Sequence, residues 1–179
     1  MTTGGNNSGC RIVVVMGVSG CGKSTVARRL AAAFGAALLD GDFLHPRANV
    51  EKMARGEPLD DADRAPWLAA LNDAAYAMSR TNSLSFIVCS ALKSRYRDRL
   101  RQGHPSMRFL FLKAKRELLE SRLSARSSHF FKPAMLASQF AALEEPGRDE
   151  RDVITVDADA GLEEVVMAAQ RMIGKESNR

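Results

Sequence analysis

Two stretches of the chain carry residues whose types and spacing could do chemistry together. Residues 38–46 read LLDGDFLHP, an apolar pair followed by two aspartates one glycine apart and a histidine held before a proline. Residues 17–24 read GVSGCGKS, which matches GxxxxGK[ST] at every fixed position. In such a loop the glycines let successive backbone N–H groups turn inward around phosphate oxygens. Lys23 then brings a mobile cation to the outer phosphates, and the Ser24 hydroxyl is offered to Mg²⁺. Gly17, Val18, Ser19, Gly20, Cys21, Gly22, Lys23, Ser24 and Thr25 are therefore the candidate nucleotide cradle, and the helix that follows adds the positive end of its dipole.

Burying a carboxylate is costly unless something compensates it. If the strand that ends in Asp40 lies beside the strand that feeds the cradle, its C-terminal end emerges where ligands of open α/β sheets sit. Asp40 is then expected at the Mg²⁺ ion and its waters. Asp42 is expected in front of the γ-phosphate, where it orients an acceptor hydroxyl and takes its proton. The plain alternative is a strand that stops at a loop of solvated acids. Other nucleotide chemistry fits less well. Neither NKxD nor DxxG occurs, as a GTPase would need, and the strand in SLSFIVCSALK ends in Cys89 and Ser90 where a water-activating ATPase places an acid. Phosphoryl transfer to a bound acceptor is favoured.

The elements that must position these residues alternate. Short β-branched runs are expected as strands at Arg11 to Met16, Ala37 to Asp40, Leu84 to Cys89, Met107 to Leu112 and Val153 to Val156, with helices near 23–34, 66–80, 94–102, 116–125 and 161–173. That alternation predicts a three-layer α/β fold with a parallel sheet and helices on both faces. Two insertions interrupt it: about 41–65, an acceptor-binding segment, and about 124–133, ARSSHFFKP, between two helices. Residues 1–179 make a single domain, with frayed ends at 1–10 and 175–179.

A net charge of +5 and a pI near 9.4 favour an anionic partner without saying which. Cys10, Cys21 and Cys89 form no CxxC pair and no metal spacing, which fits a reduced cytoplasm. No apolar run approaches the ~20 residues of a membrane span, so no membrane partner is expected. The basic run KSRYRDRLR would suit RNA, but it holds only Tyr96 for base stacking, so no nucleic-acid partner is expected either.

Taken in order, GVSGCGKSTVA, LLDGDFLHPRANVEKMARGEPLDDADRAPWL, VCSALKSRYRDRLR, RLSARSSHFF and SQFAALEEPGRDE resemble the bacterial gluconokinase family, small P-loop kinases related to shikimate kinase. The resemblance runs from about Ile12 to Val156, and its DGDxLHP, PLxDxDRxPWL and CSALK blocks are far more specific than the P-loop. It implies a P-loop NTPase fold with strand order 2-3-1-4-5 and a short lid at 124–133, ATP and Mg²⁺ as cofactors, and phosphorylation of D-gluconate at its 6-hydroxyl. The alternative is another small acid or a nucleoside monophosphate. The resemblance also implies a homodimer, and an adenine site near the loop after the fifth strand.

An acceptor with one carboxylate and many hydroxyls needs a planar cation and several hydrogen-bonding groups. Arg64 is the candidate for the carboxylate, the alternative being a helix-terminal pair with Asp60 or Asp61. His45 is a candidate donor to a hydroxyl, or else structural; Trp67 walls the polyol, or else belongs to the core. Lys93 and Arg97 are expected to face the acceptor from the other side. Arg122 and Arg126, four apart, are expected over the nucleotide and the transferring phosphate by likeness to the related kinases, with His129 a further lid candidate. Catalysis is thus assigned to Lys23, Asp42 and Arg126, and the metal to Ser24 and Asp40. Cys21 stands where the family commonly has a small serine or alanine-like residue, which points to a thiol-sensitive ATP site.

Overall fold

The computed structural model describes residues 11–124 and 133–176. Five strands, β1 (Arg11–Met16), β2 (Ala37–Asp40), β3 (Leu84–Val88), β4 (Arg108–Lys113) and β5 (Val153–Asp157), form one parallel sheet in the order β2-β3-β1-β4-β5. Seven helices connect and flank them: α1 (Lys23–Phe34), α2 (Arg47–Ala54), α3 (Asp61–Thr81), α4 (Ser94–Arg101), α5 (Arg116–Ser124), α6 (Pro133–Ala142) and α7 (Leu162–Glu176).

β1 shows why there are three layers. Side chains alternate along a strand, and a strand buried on both faces reads as a continuous apolar run. Val13 and Val15 enter one core with Leu30 of α1 and Val165 and Ile173 of α7. Ile12, Val14 and Met16 enter the other with Trp67 and Leu71 of α3 and Leu100 of α4. Because β1 is central, the loop after it opens between two neighbouring strand ends, where the cradle has to be. Among the described residues no helix is long and apolar enough to cross a membrane.

The expected strands and four of the expected helices lie within a few residues of their observed bounds, while the 41–65 segment differs. It holds a 3-10 turn, Gly41–Leu44, then α2, and the first turn of α3. Helix α2 buries only a polar residue, Asn49, so no apolar stripe announces it. Helix α3 begins at Asp61 because Asp60 and Asp63 form a reciprocal capping box. The sequence places the start of this helix near 66, yet Pro66 lies inside α3. At the other end α7 continues through Lys175 and Glu176, which the sequence assigns to a frayed terminus.

Arg97 requires a correction. It does not face an acceptor, because its side chain is 1 % exposed and wholly engaged. Nε and Nη2 donate to the two oxygens of Glu150 at 2.7 and 2.5 Å. Nη1 donates to the carbonyls of Ala91, Leu92 and Glu144 at 3.1, 3.3 and 3.1 Å. Ala91 has φ 44, the one positive-φ non-glycine among the described residues, so the guanidinium braces a turn that no helix or strand could satisfy. Arg101 adds a second cation on Glu150 at 2.6 Å. Tyr96 is likewise buried, so no aromatic is presented for base stacking along α4.

Glu150 is held down at about 2, chiefly by the Arg97 hydrogen bonds, with Arg101 adding to them. Its folded pKa lies below the ordinary 4.5, so the pair's contribution is complete above pH 4.5 and is lost as pH falls toward 2. Arg97→Met, which leaves Glu150 to Arg101 alone and takes the donor from the Ala91 and Leu92 carbonyls, should cost about 3 kcal/mol in urea unfolding at pH 7, the low end for a broken buried pair. Glu150→Gln should flatten the wild-type loss of stability between pH 4.5 and 2. A loss below about 1 kcal/mol for Arg97→Met would show the pair to be no stronger than a surface ion pair.

Candidate active site

The cradle leaves the end of β1 through glycines whose backbone other residues rarely adopt: φ is 138° at Gly17, 86° at Gly20 and 99° at Gly22. At Gly17 the constraint is also steric, since a Cβ there would lie 2.8 Å from the carbonyl oxygen of Leu112. Lys23 opens α1 and its Nζ donates to the Val18 carbonyl at 3.0 Å, keeping the ammonium against the loop it serves. Cys21 is buried, and burial raises its thiol pKa above the ordinary value. The thiolate is the reactive form, so the expected thiol sensitivity at Cys21 finds no support in its surroundings.

Strand β2 ends at Asp40, which caps the 3-10 turn. One Asp40 oxygen accepts from the Asp42 amide at 3.2 Å and the other from the Ser24 hydroxyl at 3.3 Å. The glycine between the two aspartates has a steric reason. A Cβ on Gly41 would lie 2.4 Å from the Val88 carbonyl oxygen of neighbouring β3. Trp67 Nε1 donates to the Gly41 carbonyl at 2.8 Å from the other side. From that pinned point Asp40 reaches Ser24 of the cradle, and Asp42 follows two residues on at the solvent side of the turn. Asp42 keeps contact with solvent, yet the protein crowded around its carboxyl raises its proton affinity, and the Asp40 charge adds to this. Lys23 and Arg64 oppose the rise, so both cations face this carboxyl.

Trp67 corrects another expectation. Its side chain is 1 % exposed, so it does not wall a substrate; its indole stacks on His45, with ring centroids 4.2 Å apart and planes at 13°. His45 Nδ1 lies 3.3 Å from Asn49 Nδ2, which also donates to the Asp63 carbonyl at 2.7 Å. An amide nitrogen only donates, so Nδ1 accepts and the neutral ring carries its proton on Nε2. Desolvation, followed by the charge of Arg64, lowers the His45 pKa to about 4. His45 is a neutral donor at physiological pH.

Arg64, half-buried near the start of α3, does not pair with Asp60 or Asp61. Asp60 accepts from the Asp63 amide at 2.8 Å, and Asp61 is taken by Lys93 at 2.9 Å and by Arg95 and Tyr96. The Tyr96 hydroxyl, with Lys93 next, holds the Asp61 carboxyl down at about 2. The Arg64 guanidinium lies over the Tyr96 ring, 5.9 Å from its centroid, and its charge is felt by Asp42, His45 and Cys89. Lys93 shares that rim, 5.5 Å from the same ring, but its ammonium belongs to Asp61; it is an organiser of the rim and not a free ligand. Arg122 sits beyond the cradle, donating to the Ala158 carbonyl at 3.2 Å, and its charge reaches Cys21. Arg126 and His129 lie outside the described residues. A cavity of about 410 Å³ opens at the ends of β4 and β5, lined by Lys113, Lys115, Phe140, Asp157 and Asp159 among others.

Residues 12–146 match the AAA domain family. The thermoresistant gluconokinase of Escherichia coli K12 is 60% identical over 164 residues, covering 92% of this chain and 94% of that one. The chain belongs to the gluconokinase family. The crystal structure of a gluconokinase from Sinorhizobium meliloti 1021 superposes with a TM-score of 0.85 at 38% identity, over 94% of each chain. A shikimate kinase from Aquifex aeolicus, at 14% identity, shares the fold with a TM-score of 0.57, over 93% of this chain and 98% of that one.

The donor set fits the metal that the family implies. Among the described residues no three acidic, histidine or cysteine side chains cluster as a metal cage. Mg²⁺ is usually held through one or two protein oxygens, waters and substrate phosphates, and the Ser24 and Asp40 pair at the cradle supplies such oxygens.

Asn49 and the Asp61–Tyr96 contacts went unnoticed in the sequence; Asn49 has no motif, and its only signal is the four-residue spacing from His45 on a short helix. His45 itself offers a test. Its ring should titrate in NMR with a midpoint near 4, so that from this group stability is complete above pH 6.5 and is lost as pH falls toward 4. A midpoint near 6.5 would mean that the Trp67 stack is open in solution.

Proposed function

We propose that the chain is a gluconokinase, transferring the γ-phosphoryl group of ATP to the 6-hydroxyl of D-gluconate to give 6-phosphogluconate and ADP. The observation that carries this reading is the pair of acids around the pinned Gly41, Asp40 on Ser24 of the phosphate cradle and Asp42 facing the charges of Lys23 and Arg64. Asp40 and Ser24 would hold Mg²⁺, which would supply positive charge against the developing charge of the phosphates. Asp42 accepts the proton of the acceptor hydroxyl; the raised proton affinity produced by its surroundings makes it a better base than a solvated carboxylate. Lys23 swings from the Val18 carbonyl onto the outer phosphates. Arg64 takes the gluconate carboxylate, supported by a guanidinium that lies on the Tyr96 face and is free of Asp60 and Asp61. His45, neutral and protonated on Nε2, donates to a hydroxyl of the polyol.

The cavity at the ends of β4 and β5 is offered to adenine, with Arg122 at its margin near the Ala158 carbonyl. Arg126 and His129 stay assigned to the lid by family likeness. The reading places the enzyme in the cytoplasm as a homodimer, and the exposed Leu38, Phe43 and Val50 beside edge strand β2 supply apolar surface for a second copy.

ADP release should depend on gluconate and Mg²⁺, and shikimate or AMP turning over as fast would transfer the chain to the alternative acceptors. Asp42→Asn should lower kcat by about 10²–10⁴ with ATP affinity kept. Asp40→Asn should instead raise the Mg²⁺ requirement and recover partly in excess metal. Metal rescue of Asp42→Asn, and not of Asp40→Asn, would reverse the two roles. Arg64→Lys keeps charge but loses the fork, so the gluconate KM should rise by about ten- to a hundredfold with the ATP KM unchanged.

A further inference from the structure

The loop GVSGCGKS is free to turn at Gly17 and Gly20, and Ser19 lies between them. A backbone flanked by two such glycines is poorly determined by its own chain. A residue 120 positions away determines it. The Ser19 amide donates to Gln139 Oε1 at 2.7 Å, and Gln139 Nε2 donates to Ser19 Oγ at 2.9 Å. A flat carboxamide touching two atoms of one residue fixes rotation as well as position.

The chemistry of the pair assigns the hydrogens. A backbone N–H only donates, so the carboxamide oxygen must face it and the NH₂ must face the hydroxyl. Ser19 Oγ is then an acceptor from Gln139, and its own hydrogen is left to be given away. The ammonium that serves the outer phosphates is held on the same loop, Lys23 Nζ lying 3.0 Å from the carbonyl of Val18, the residue before Ser19.

Gln139 is mounted firmly enough to act this way. It lies on α6, whose Leu136 is 1 % exposed in the same core as Val18 and Cys21 and whose Phe140 packs against that core. Past the end of α6 the Glu144 amide donates to the Leu92 carbonyl at 2.8 Å, and the Glu144 side chain accepts from the Ser94 amide at 2.7 Å.

We propose that Gln139 is a positioning residue of the phosphate loop, clamping Ser19 by its amide and hydroxyl so that the hydroxyl is committed to donate to the outer phosphates of the nucleotide. The proposal rests on the kinase reading, since it needs a nucleotide in the cradle. It adds a residue outside the P-loop to the phosphate site and gives Ser19 a side-chain role in the cradle in place of the backbone one, since Gln139 takes its amide.

Gln139→Leu, Ser19→Ala and the double variant test it. The affinity for AMP-PNP with Mg²⁺, measured calorimetrically without gluconate, should fall by about five- to fiftyfold in each single variant, two hydrogen bonds being at stake. The double variant should be little worse than the worse single one, because both act through one pair. The gluconate KM should stay within about twofold of wild type, and the Ser19 amide should lose hydrogen-exchange protection in Gln139→Leu. AMP-PNP affinity unchanged in both single variants, or fully additive losses, would overturn the clamp. If Gln139→Leu lowers the melting temperature substantially, Ser19→Ala decides alone, since it leaves α6 untouched: unchanged AMP-PNP affinity overturns the proposal. AMP-PNP binding needs no acceptor, so failure of wild type to phosphorylate gluconate would sink the functional reading and leave this test standing.

Discussion

The close approach of β2 to β3 at Gly41 is the constraint on which the site depends. The chain can pass the Val88 carbonyl only without a side chain, and the Trp67 indole holds the Gly41 carbonyl from the opposite side. A larger residue would push the 3-10 turn off the sheet and carry both aspartates with it. Because β2 lies at the sheet edge, on the far side of β3 from β1, this contact transmits the geometry of the central strands to the acids that face the cradle. The same indole orders His45 by stacking, so one core side chain fixes the turn and the acceptor-side donor together.

Charge is distributed so that each group near the reaction keeps one duty. Asp61 absorbs Lys93, Arg95 and the Tyr96 hydroxyl, which removes the competing cations and leaves Arg64 over the tyrosine ring with no carboxylate partner among the described residues. Glu150 absorbs Arg97 and, with Asp152, Arg101. Most arginines of KSRYRDRLR are therefore structural, and the basic balance of the chain overstates the positive charge available to an anionic ligand. Arg64 and Lys23 carry what the site presents among the described residues, and both bear on Asp42.

What could be read from the sequence follows from which signals are local. The P-loop, the β-branched strands and the DGD turn announce themselves because their chemistry needs particular residues at fixed spacing, and the parallel sheet follows from alternation. Arg97 differs from expectation because an arginine on the helix after a strand looks the same whether it meets a ligand or a carboxylate that lies 53 residues on. Trp67 misled for the opposite reason, since an apolar wall and a core plug share one side chain. Helix α2 and Asn49 were hidden because the helix buries polarity, and periodicity detects only apolar stripes. Gln139 was hidden by distance along the chain, its partner being 120 residues earlier.

These long-range contacts are linked to one another. The Arg97 guanidinium braces Ala91 and Leu92 and also donates to the carbonyl of Glu144, the residue whose amide meets Leu92. Glu144 follows α6, which bears Gln139, which meets Ser19 of the cradle. A buried ion pair that contributes nothing directly to chemistry thus anchors, through the end of α6, the helix that orients the phosphate loop. Buried charge pairs are a poor way to gain stability compared with apolar packing. Here the guanidinium meets two carbonyls of a turn with positive φ and a third beyond α6, something no apolar side chain of the same volume could do. The role of Arg97 is therefore geometric: it holds the β3–α4 turn and the end of α6 in one register, and that register reaches the cradle.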